Sequence, residues 1–239
     1  MQPIIALDFP TGQDAIDFVA AFDTETPLFV KVGMELFYAE GPSILRRLQA
    51  LRPLNIFLDL KLHDIPHTVE MAAYQLGKLG VTLTTAHAAG GSAMLTAAKR
   101  GLLAGAKDAG VLPPRLLAIT QLTSTDEQML HDELQIPGHV QASVAHLATL
   151  AQAAGADGVV ASAQEAEAIR HVVAPDFLII TPGIRPQGSA VGDQKRVVTP
   201  REAHRLGSSG IVVGRPITKA ANPLGAYHQI LTEWSARND

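Results

Sequence analysis

The sequence of 239 residues contains no cysteine. This absence excludes disulfide scaffolds, thiolate zinc sites, iron–sulfur ligation and catalysis by a cysteine nucleophile. Positive charge is not in excess either, because 19 Lys and Arg stand against 23 Asp and Glu, a net charge of −4. The electrostatic footprint of a nucleic-acid-binding protein is therefore missing. No uncharged apolar run reaches the roughly 18 residues that a membrane-spanning helix needs.

The beginning of the chain also lacks the pattern of a secretion signal. Met1–Pro10 has no basic residue and reaches Asp8 before any long apolar stretch. Apolar residues make up 47% of the chain and charged residues 18%, which is too apolar for a disordered protein. We therefore expect a soluble, cytoplasmic protein with a sizeable core and with no nucleic-acid or membrane partner.

Short apolar runs alternate with helical patterns along the whole sequence. The helical pattern is clear, for example, in the spacing of Val144, Leu147, Leu150 and Ala151. Eight strands are predicted, at Ile4–Phe9, Phe29–Met34, Asn55–Leu62, Leu83–Ala88, Arg115–Thr120, Gly158–Ser162, Leu178–Thr181 and Gly210–Gly214.

This alternation is typical of parallel βαβ units. Eight such units in a chain of this length predict a (β/α)8 TIM barrel, with one domain over residues 1–239. The alternative is an open doubly wound sheet, which often has a glycine-rich fingerprint after its first strand. Here Asp8-Phe9-Pro10 stands at that place.

The third predicted strand contains the most informative charges. Because side chains alternate across a strand, Leu58, Leu60 and Leu62 are predicted to face the helices, and Asp59 and Lys61 the barrel interior. Charges in such an interior are costly unless they are paired. One interpretation is a structural ion pair. We favour an active-site charge network, which Lys31 and Asp64 could extend.

A lysine between carboxylates keeps its proton, because nearby anions favour its charged form. Lys61 is then a fixed cation and a proton donor, and it is poorly suited to form a Schiff base, which needs a neutral amine. A fixed ammonium suits a reaction in which negative charge develops on carbon and is then protonated. Decarboxylation is such a reaction.

The segments after the last two strands are rich in glycine and arginine. Barrel enzymes often bind phosphate at this corner through backbone N–H groups and cationic side chains. The alternative for each arginine is a solvated surface cation. The long segment from Gly183 to Arg196 is also predicted to act as a closing lid. The residues that predict the phosphate site are Gly183, Arg185, Gly188, Gly192, Gln194, Gly214 and Arg215.

Several sequence blocks occur in an order that is similar to a known family. They are Ile5–Asp8, Phe29–Gly33, Asp59–Pro66, His87–Gly91, Thr120–Ser124, Thr181–Arg185, Gly192–Gln194 and Val213–Arg215. Together they resemble the orotidine 5′-phosphate decarboxylases. This resemblance implies a homodimeric enzyme that converts orotidine 5′-monophosphate (OMP) to UMP and CO2 in pyrimidine biosynthesis, with no metal or organic cofactor.

The resemblance also implies a role for each matching residue. Lys61 would protonate C6 of the pyrimidine, and Asp59 would lie beside the departing carboxylate. Lys31 and the partner subunit's Asp64 would complete the charge array. Asp8, Lys31 and the partner subunit's Thr68 would bind ribose, and Thr123 would contact the pyrimidine edge. Phosphate would be bound by Arg185, Gln194, Gly214 and Arg215. Pro182 would also belong to the substrate-binding residues.

Two other functions stay open on the sequence alone. Related sugar-phosphate decarboxylases and hexulose-phosphate synthases share the Asp-x-Lys-x-x-Asp strand but use a magnesium-bound enediolate. They need a carboxylate near the end of strand two, where this chain has Lys31 and, further on, Glu35. The second alternative is a nucleotide-binding protein on a barrel without activity.

Individual residues also have simpler interpretations. His63 and His67 have the spacing of a zinc pair, but Pro66 lies between them and no general base accompanies them. Asp8 could cap a helix, and Thr123 could belong to a helix cap followed by Glu127. His87 could support the site or pack in the core.

Overall fold

Eight parallel strands close into a barrel in the computed structural model, which describes residues 1–23, 28–186 and 198–236. Neighbouring strands pair in chain order, and the last strand pairs with the first. The strands are β1 (Ile4–Ala6), β2 (Leu28–Gly33), β3 (Leu54–Leu62), β4 (Leu83–His87), β5 (Arg115–Ile119), β6 (Gly158–Val160), β7 (Leu178–Thr181) and β8 (Gly210–Val213).

The predicted TIM barrel is confirmed, and each predicted strand is present. The ends differ most in β1, which finishes at Ala6 and not at Phe9. Its pairing with β2 continues only through the Leu7 N–H, which donates to the Lys31 carbonyl at 2.9 Å.

Ten α-helices occur in the described part of the chain. None of them has both the length and the apolar character that crossing a membrane requires. The helices are α1 (Gly12–Ala20), α2 (Met34–Glu40), α3 (Ser43–Leu51), α4 (Pro66–Gly77), α5 (Gly91–Ala109), α6 (Val140–Ala153), α7 (Ala163–Arg170), α8 (Pro200–Arg205), α9 (Arg215–Thr218) and α10 (Pro223–Ser235).

The inward face of the strands changes from apolar to polar along the chain direction. On β2 this face has Phe29 followed by Lys31, and on β3 it has Phe57 followed by Asp59. The apolar part fills the barrel interior and excludes water below the polar ends. It is formed by Ile4, Ala6, Phe29, Phe57, Leu83, Leu117, Ile180 and Val212.

A larger apolar cluster lies between the strands and the surrounding helices. Leu58 is fully buried in it, and Leu60 and Leu62 pack against it. The predicted alternation of β3 is therefore confirmed, with its leucines outside the barrel and its charges inside.

Helices α4 and α5 approach each other closely because glycines lie at their contact. A Cβ atom on Gly105 would lie 1.9 Å from the Tyr74 carbonyl oxygen, and one on Gly77 would lie 2.4 Å from the Leu102 carbonyl oxygen. Since α4 begins two residues after Asp64, this contact also fixes where the segment after β3 leaves the barrel.

Candidate active site

Four charged side chains of alternating sign form a line at the carboxyl ends of the first three strands. The Lys61 ammonium donates to Asp59 Oδ2 at 2.8 Å. Lys31 Nζ lies 4.0 Å from the same oxygen and 3.1 Å from Asp8 Oδ1. The array therefore runs Asp8, Lys31, Asp59, Lys61, and each inner charge has a neighbour of opposite sign on both sides. This pairing offsets the cost of burying most of Lys31 and Asp59, whose side chains are 13% and 12% exposed.

Gly33 provides the space in which the Lys31 ammonium lies. A Cβ atom at this position would come within 2.9 Å of Lys31 Nζ and 3.5 Å of Asp8 Oδ1. Any larger residue would therefore displace the cation that joins Asp8 to Asp59.

The second carboxylate oxygen of Asp59 is held by a residue that the sequence reasoning missed. The Thr85 hydroxyl donates to Asp59 Oδ1 at 3.0 Å and accepts from the backbone N–H of Lys61 at 2.9 Å. Thr85 is fully buried on β4. A signal was present in the sequence, because the inward positions of β4 change from apolar Leu83 to polar Thr85 and His87.

The backbone of Lys61 adopts a left-handed conformation, with φ of 54°. For residues other than glycine this region costs about 1–3 kcal/mol, and such residues concentrate at functional sites. Lys61 also lies where the regular pairing of β3 with β4 is interrupted, between Leu58 and Leu62. The strand thus leaves its regular path at the residue predicted to donate the proton.

A cavity of about 200 Å³ opens beside the array. Lys31, Asp59 and Lys61 form its charged part, and the lining also includes the predicted residues Thr123 and Pro182. Most of the other lining is apolar: Phe57, Ile119, Val160, Ala161 and Val212. Charges beside an apolar surface interact more strongly than in water, since the local dielectric is lower. The cavity therefore suits a small ligand whose charge changes during a reaction.

A second cavity, of about 140 Å³, adjoins the first one. Both cavities share Lys31, Pro182 and Val212. The further lining includes the predicted ribose and phosphate residues Asp8, Gly183, Arg185, Gly214 and Arg215. Arg185 and Arg215 thus line one of two adjoining cavities, and the Asp59–Lys61 pair lines the other.

The two arginines are held differently. Arg185 is 7% exposed, and its Nη1 donates to the Ile184 carbonyl at 2.9 Å. Arg215 is exposed and begins α9, which only Gly214 separates from β8. The predicted residues Gly188, Gly192 and Gln194, and most of the predicted lid from Gly183 to Arg196, lie outside the described residues.

Asp64 and Thr68 lie apart from the array within one chain. Both are exposed, and neither lines one of the two cavities. Asp64 Oδ1 accepts from the Ile65 N–H at 2.6 Å. The tertiary structure of one chain therefore brings together the predicted catalytic residues of β2 and β3 without Asp64.

The histidines near the site pack against each other. The rings of His63 and His87 stack with centroids 5.2 Å apart and an interplanar angle of 29°. Burial lowers the pKa of His87, and repulsion by His63 and Lys61 lowers it further, whereas Asp59 raises it. In the ranges 1–23, 28–186 and 198–236, no three His, Asp or Glu side chains are grouped as a metal site would require.

The structure also decides two of the simpler interpretations. Asp8 does not cap a helix, because the Thr11 side chain caps α1 by accepting from the Asp14 N–H at 3.2 Å. After β5, Asp126 Oδ1 accepts from the Met129 N–H at 3.0 Å at the start of a short π-helical turn. Thr123 is thus a cavity residue, and Asp126 performs the capping.

Known proteins resemble this chain over nearly its full length. An orotidine 5′-phosphate decarboxylase of Lactiplantibacillus plantarum is 59% identical over 232 residues, which cover 97% of this chain and 98% of the relative. One of Enterococcus faecalis is 55% identical and covers 99% of both chains. The crystal structure of orotidine 5′-phosphate decarboxylase from Lactobacillus acidophilus superposes with a TM-score of 0.87 at 43% identity, covering 98% of this chain and 99% of that one.

The family profile agrees with these relatives, since it matches residues 1–230. The resemblance found in the sequence blocks is therefore confirmed, and with it the predicted enzyme class. The chain belongs to the orotidine 5′-phosphate decarboxylase / HUMPS family.

Proposed function

We propose that this chain decarboxylates OMP to UMP and CO2 in the cytoplasm, as a step of pyrimidine biosynthesis. The observation that carries the proposal is the Asp59–Lys61 pair at one end of a space whose other end contains Arg185 and Arg215. A nucleotide with a reacting carboxylate matches both ends. The two relatives from Lactiplantibacillus plantarum and Enterococcus faecalis are named for the same activity.

The substrate lies along the two joined cavities in this proposal. Its phosphate binds Arg185 and Arg215, with further contacts from Gly214 and Gln194. Its ribose hydroxyls bind Asp8 and Lys31, which already form an ion pair at 3.1 Å. The pyrimidine then occupies the cavity of about 200 Å³, next to Thr123 and Pro182.

The reaction follows from the charges around C6 of the pyrimidine. Asp59 faces the substrate carboxylate, and the two negative charges repel each other in the bound state. This repulsion ends when CO2 leaves. The C6–carboxylate bond breaks, and its electron pair stays on C6 as a carbanion. The Lys61 ammonium stabilises this charge and donates its proton to C6. Lysine then regains a proton from solvent.

The phosphate end contributes to the chemistry although it is remote from C6. Binding of the phosphate by the two arginines holds the substrate carboxylate against Asp59. The binding energy of the phosphate is thereby used at the reacting carbon. The preformed array needs little reorganisation during the reaction, since Lys31, Lys61 and Thr85 all hold Asp59. None of these steps calls for a metal ion or an organic cofactor.

We further infer that two copies of the chain form the working enzyme. Asp64 and Thr68 are exposed and contribute to neither cavity of their own chain, and Ile65 between them is 66% exposed. The family resemblance implies that both side chains contact the site of a partner subunit, and their exposure leaves them accessible for that contact. The partner subunit's Asp64 would extend the charge array beyond Lys61, and the partner subunit's Thr68 would contact ribose.

Mixed dimers test this inference. Lys61→Ala and Asp64→Ala homodimers are each expected to be inactive, whereas a hybrid of the two contains one site with both residues intact. Activity that appears on mixing supports the shared site. A hybrid as inactive as its parents contradicts it.

A direct assay tests the proposed reaction. Purified protein is added to OMP with EDTA present, and the loss of OMP absorbance is followed together with the release of CO2 and the formation of UMP. Turnover in EDTA supports the proposal. Activity that requires a divalent cation would favour the magnesium-dependent sugar-phosphate enzymes, and binding of OMP without CO2 release would favour a nucleotide-binding protein.

A further inference from the structure

Strand β3 departs from regular pairing at the residues that carry the charges. Leu58 is paired with Thr84, and the next pair is Leu62 with Ala86. Four steps along β3 therefore correspond to two steps along β4. Asp59 and Lys61 lie in this interruption, opposite Thr85.

The Thr85 hydroxyl joins the two ends of the interruption. It accepts from the Lys61 N–H at 2.9 Å, so its own hydrogen is available to donate to Asp59 Oδ1 at 3.0 Å. The direction is fixed, because an amide N–H can only donate and an ionised carboxylate can only accept. No part of Thr85 is exposed, so its hydroxyl cannot be replaced by bulk solvent.

The hydrogen bond from Thr85 means that the two oxygens of the Asp59 carboxylate have different partners. Oδ1 binds Thr85, and Oδ2 faces Lys61 at 2.8 Å and Lys31 at 4.0 Å. The plane of the carboxylate is thereby set. The second hydrogen bond holds the left-handed backbone of Lys61, from which its ammonium extends.

We propose that Thr85 is a positioning residue for decarboxylation, which orients the Asp59 carboxylate and the Lys61 backbone before the substrate arrives. Thr85 lines neither of the two cavities, so it acts through Asp59 and Lys61 and not on the substrate. This inference rests on the function proposed above.

Thr85→Val tests the proposal, because valine keeps the shape of threonine and removes the hydroxyl. We expect kcat to fall about 10- to 100-fold, as hydrogen bonds to charged groups commonly contribute. KM for OMP and inhibition by UMP should change little, since Arg185 and Arg215 are untouched.

Thr84→Val is the matched control. Thr84 is the preceding residue of β4 and is also fully buried, but its hydroxyl has no hydrogen-bond partner in the described part of the chain. The same substitution there should leave kcat unchanged. Thr85→Ser restores a hydroxyl and should recover most of the lost rate.

The outcomes separate positioning from packing. A folded Thr85→Val with the kcat of Thr84→Val overturns the proposal, and so does a folded Thr85→Ser as slow as Thr85→Val. If Thr85→Val does not fold, Thr85→Ser and Thr85→Ala provide the same comparison. A wild-type chain that does not turn over OMP contradicts the proposed function, and the role of Thr85 falls with it. Normal wild-type turnover with a normal Thr85→Val rate contradicts only the role of Thr85.

Discussion

The Lys61 ammonium donates a hydrogen bond to Asp59 Oδ2 at 2.8 Å, and the two side chains are only 27% and 12% exposed. Water therefore screens this pair less than a surface ion pair. The donor and the acceptor come from the same strand, β3, and both face the barrel interior.

Removing the Lys61 ammonium is expected to abolish nearly all turnover. Lys61→Ala leaves the carbanion at C6 without a nearby cation or proton donor, so kcat should fall at least about 100-fold. The fold should persist, because Asp59 keeps Lys31 and Thr85 as partners. Steady-state kinetics on OMP and thermal unfolding measure the two effects. Lys107→Ala, at an exposed position of α5, is the control, and retained turnover in Lys61→Ala would show that another group donates the proton.

A methyl group at Gly33 is expected to disturb catalysis through Lys31. Gly33 has an extended backbone, with φ of −94° and ψ of −172°, which alanine adopts without strain. The new Cβ would lie 2.9 Å from Lys31 Nζ, so the ammonium must move away from Asp8 and Asp59. We expect kcat/KM to fall about 10- to 100-fold while the protein stays folded.

A double-mutant cycle shows whether this effect passes through Lys31. In a Lys31→Ala background the ammonium is absent, so adding Gly33→Ala should cost little more. Equal losses in both backgrounds would mean that Gly33 acts on some other part of the site.

The proposed phosphate contact of Arg215 is expected to matter for OMP and not for its dephosphorylated form. Arg215 is exposed, so Arg215→Ala should fold normally. A charge-assisted contact is worth about 1.5–3 kcal/mol, and kcat/KM for OMP should therefore fall about 10- to 100-fold. The slow turnover of orotidine, which lacks the phosphate, should hardly change. Arg46→Ala on α3 is the control, and an equal loss with both substrates would place the effect elsewhere.

His87 is expected to make stability depend on pH. Its pKa in the folded protein is below the usual value of 6.5, mainly because it is buried. The unfolded chain therefore binds this proton more readily, so the free energy of unfolding should be highest above pH 6.5 and decrease as the pH falls below it. Among its neighbours, His63 and Lys61 lower the pKa of His87 further, and Asp59 raises it.

Urea unfolding at about pH 8 and about pH 5.5 measures this dependence. His87→Asn should lose less stability between the two pH values than the wild type. His146→Asn, at an exposed position of α6, should keep the wild-type dependence. A His87→Asn variant with the full dependence would assign the effect to other groups.

Local patterns were sufficient to predict the strands. Apolar runs such as Leu178–Thr181 and Gly210–Val213 are short and bounded by polar residues, and their burial in the barrel explains their composition. The alternation of Leu58, Asp59 and Leu60 likewise predicted which face of β3 points inward. The predicted end of β1 at Phe9 was wrong, because β1 stops pairing with β2 after Leu7. Apolar periodicity within one strand does not show where its pairing with a neighbour stops.

The sequence alone determined the family, the barrel and the residues at the carboxyl ends of its strands, since these follow from hydrophobic periodicity and from motifs within a few residues of each other. Only the tertiary structure decided how the charges meet. The contacts of Lys31 with Asp8 and of Thr85 with Asp59 join residues 23 and 26 positions apart. They depend on the register of neighbouring strands, on the interruption between β3 and β4, and on the space left by Gly33. Local periodicity does not encode these distances, because they arise when the whole barrel closes.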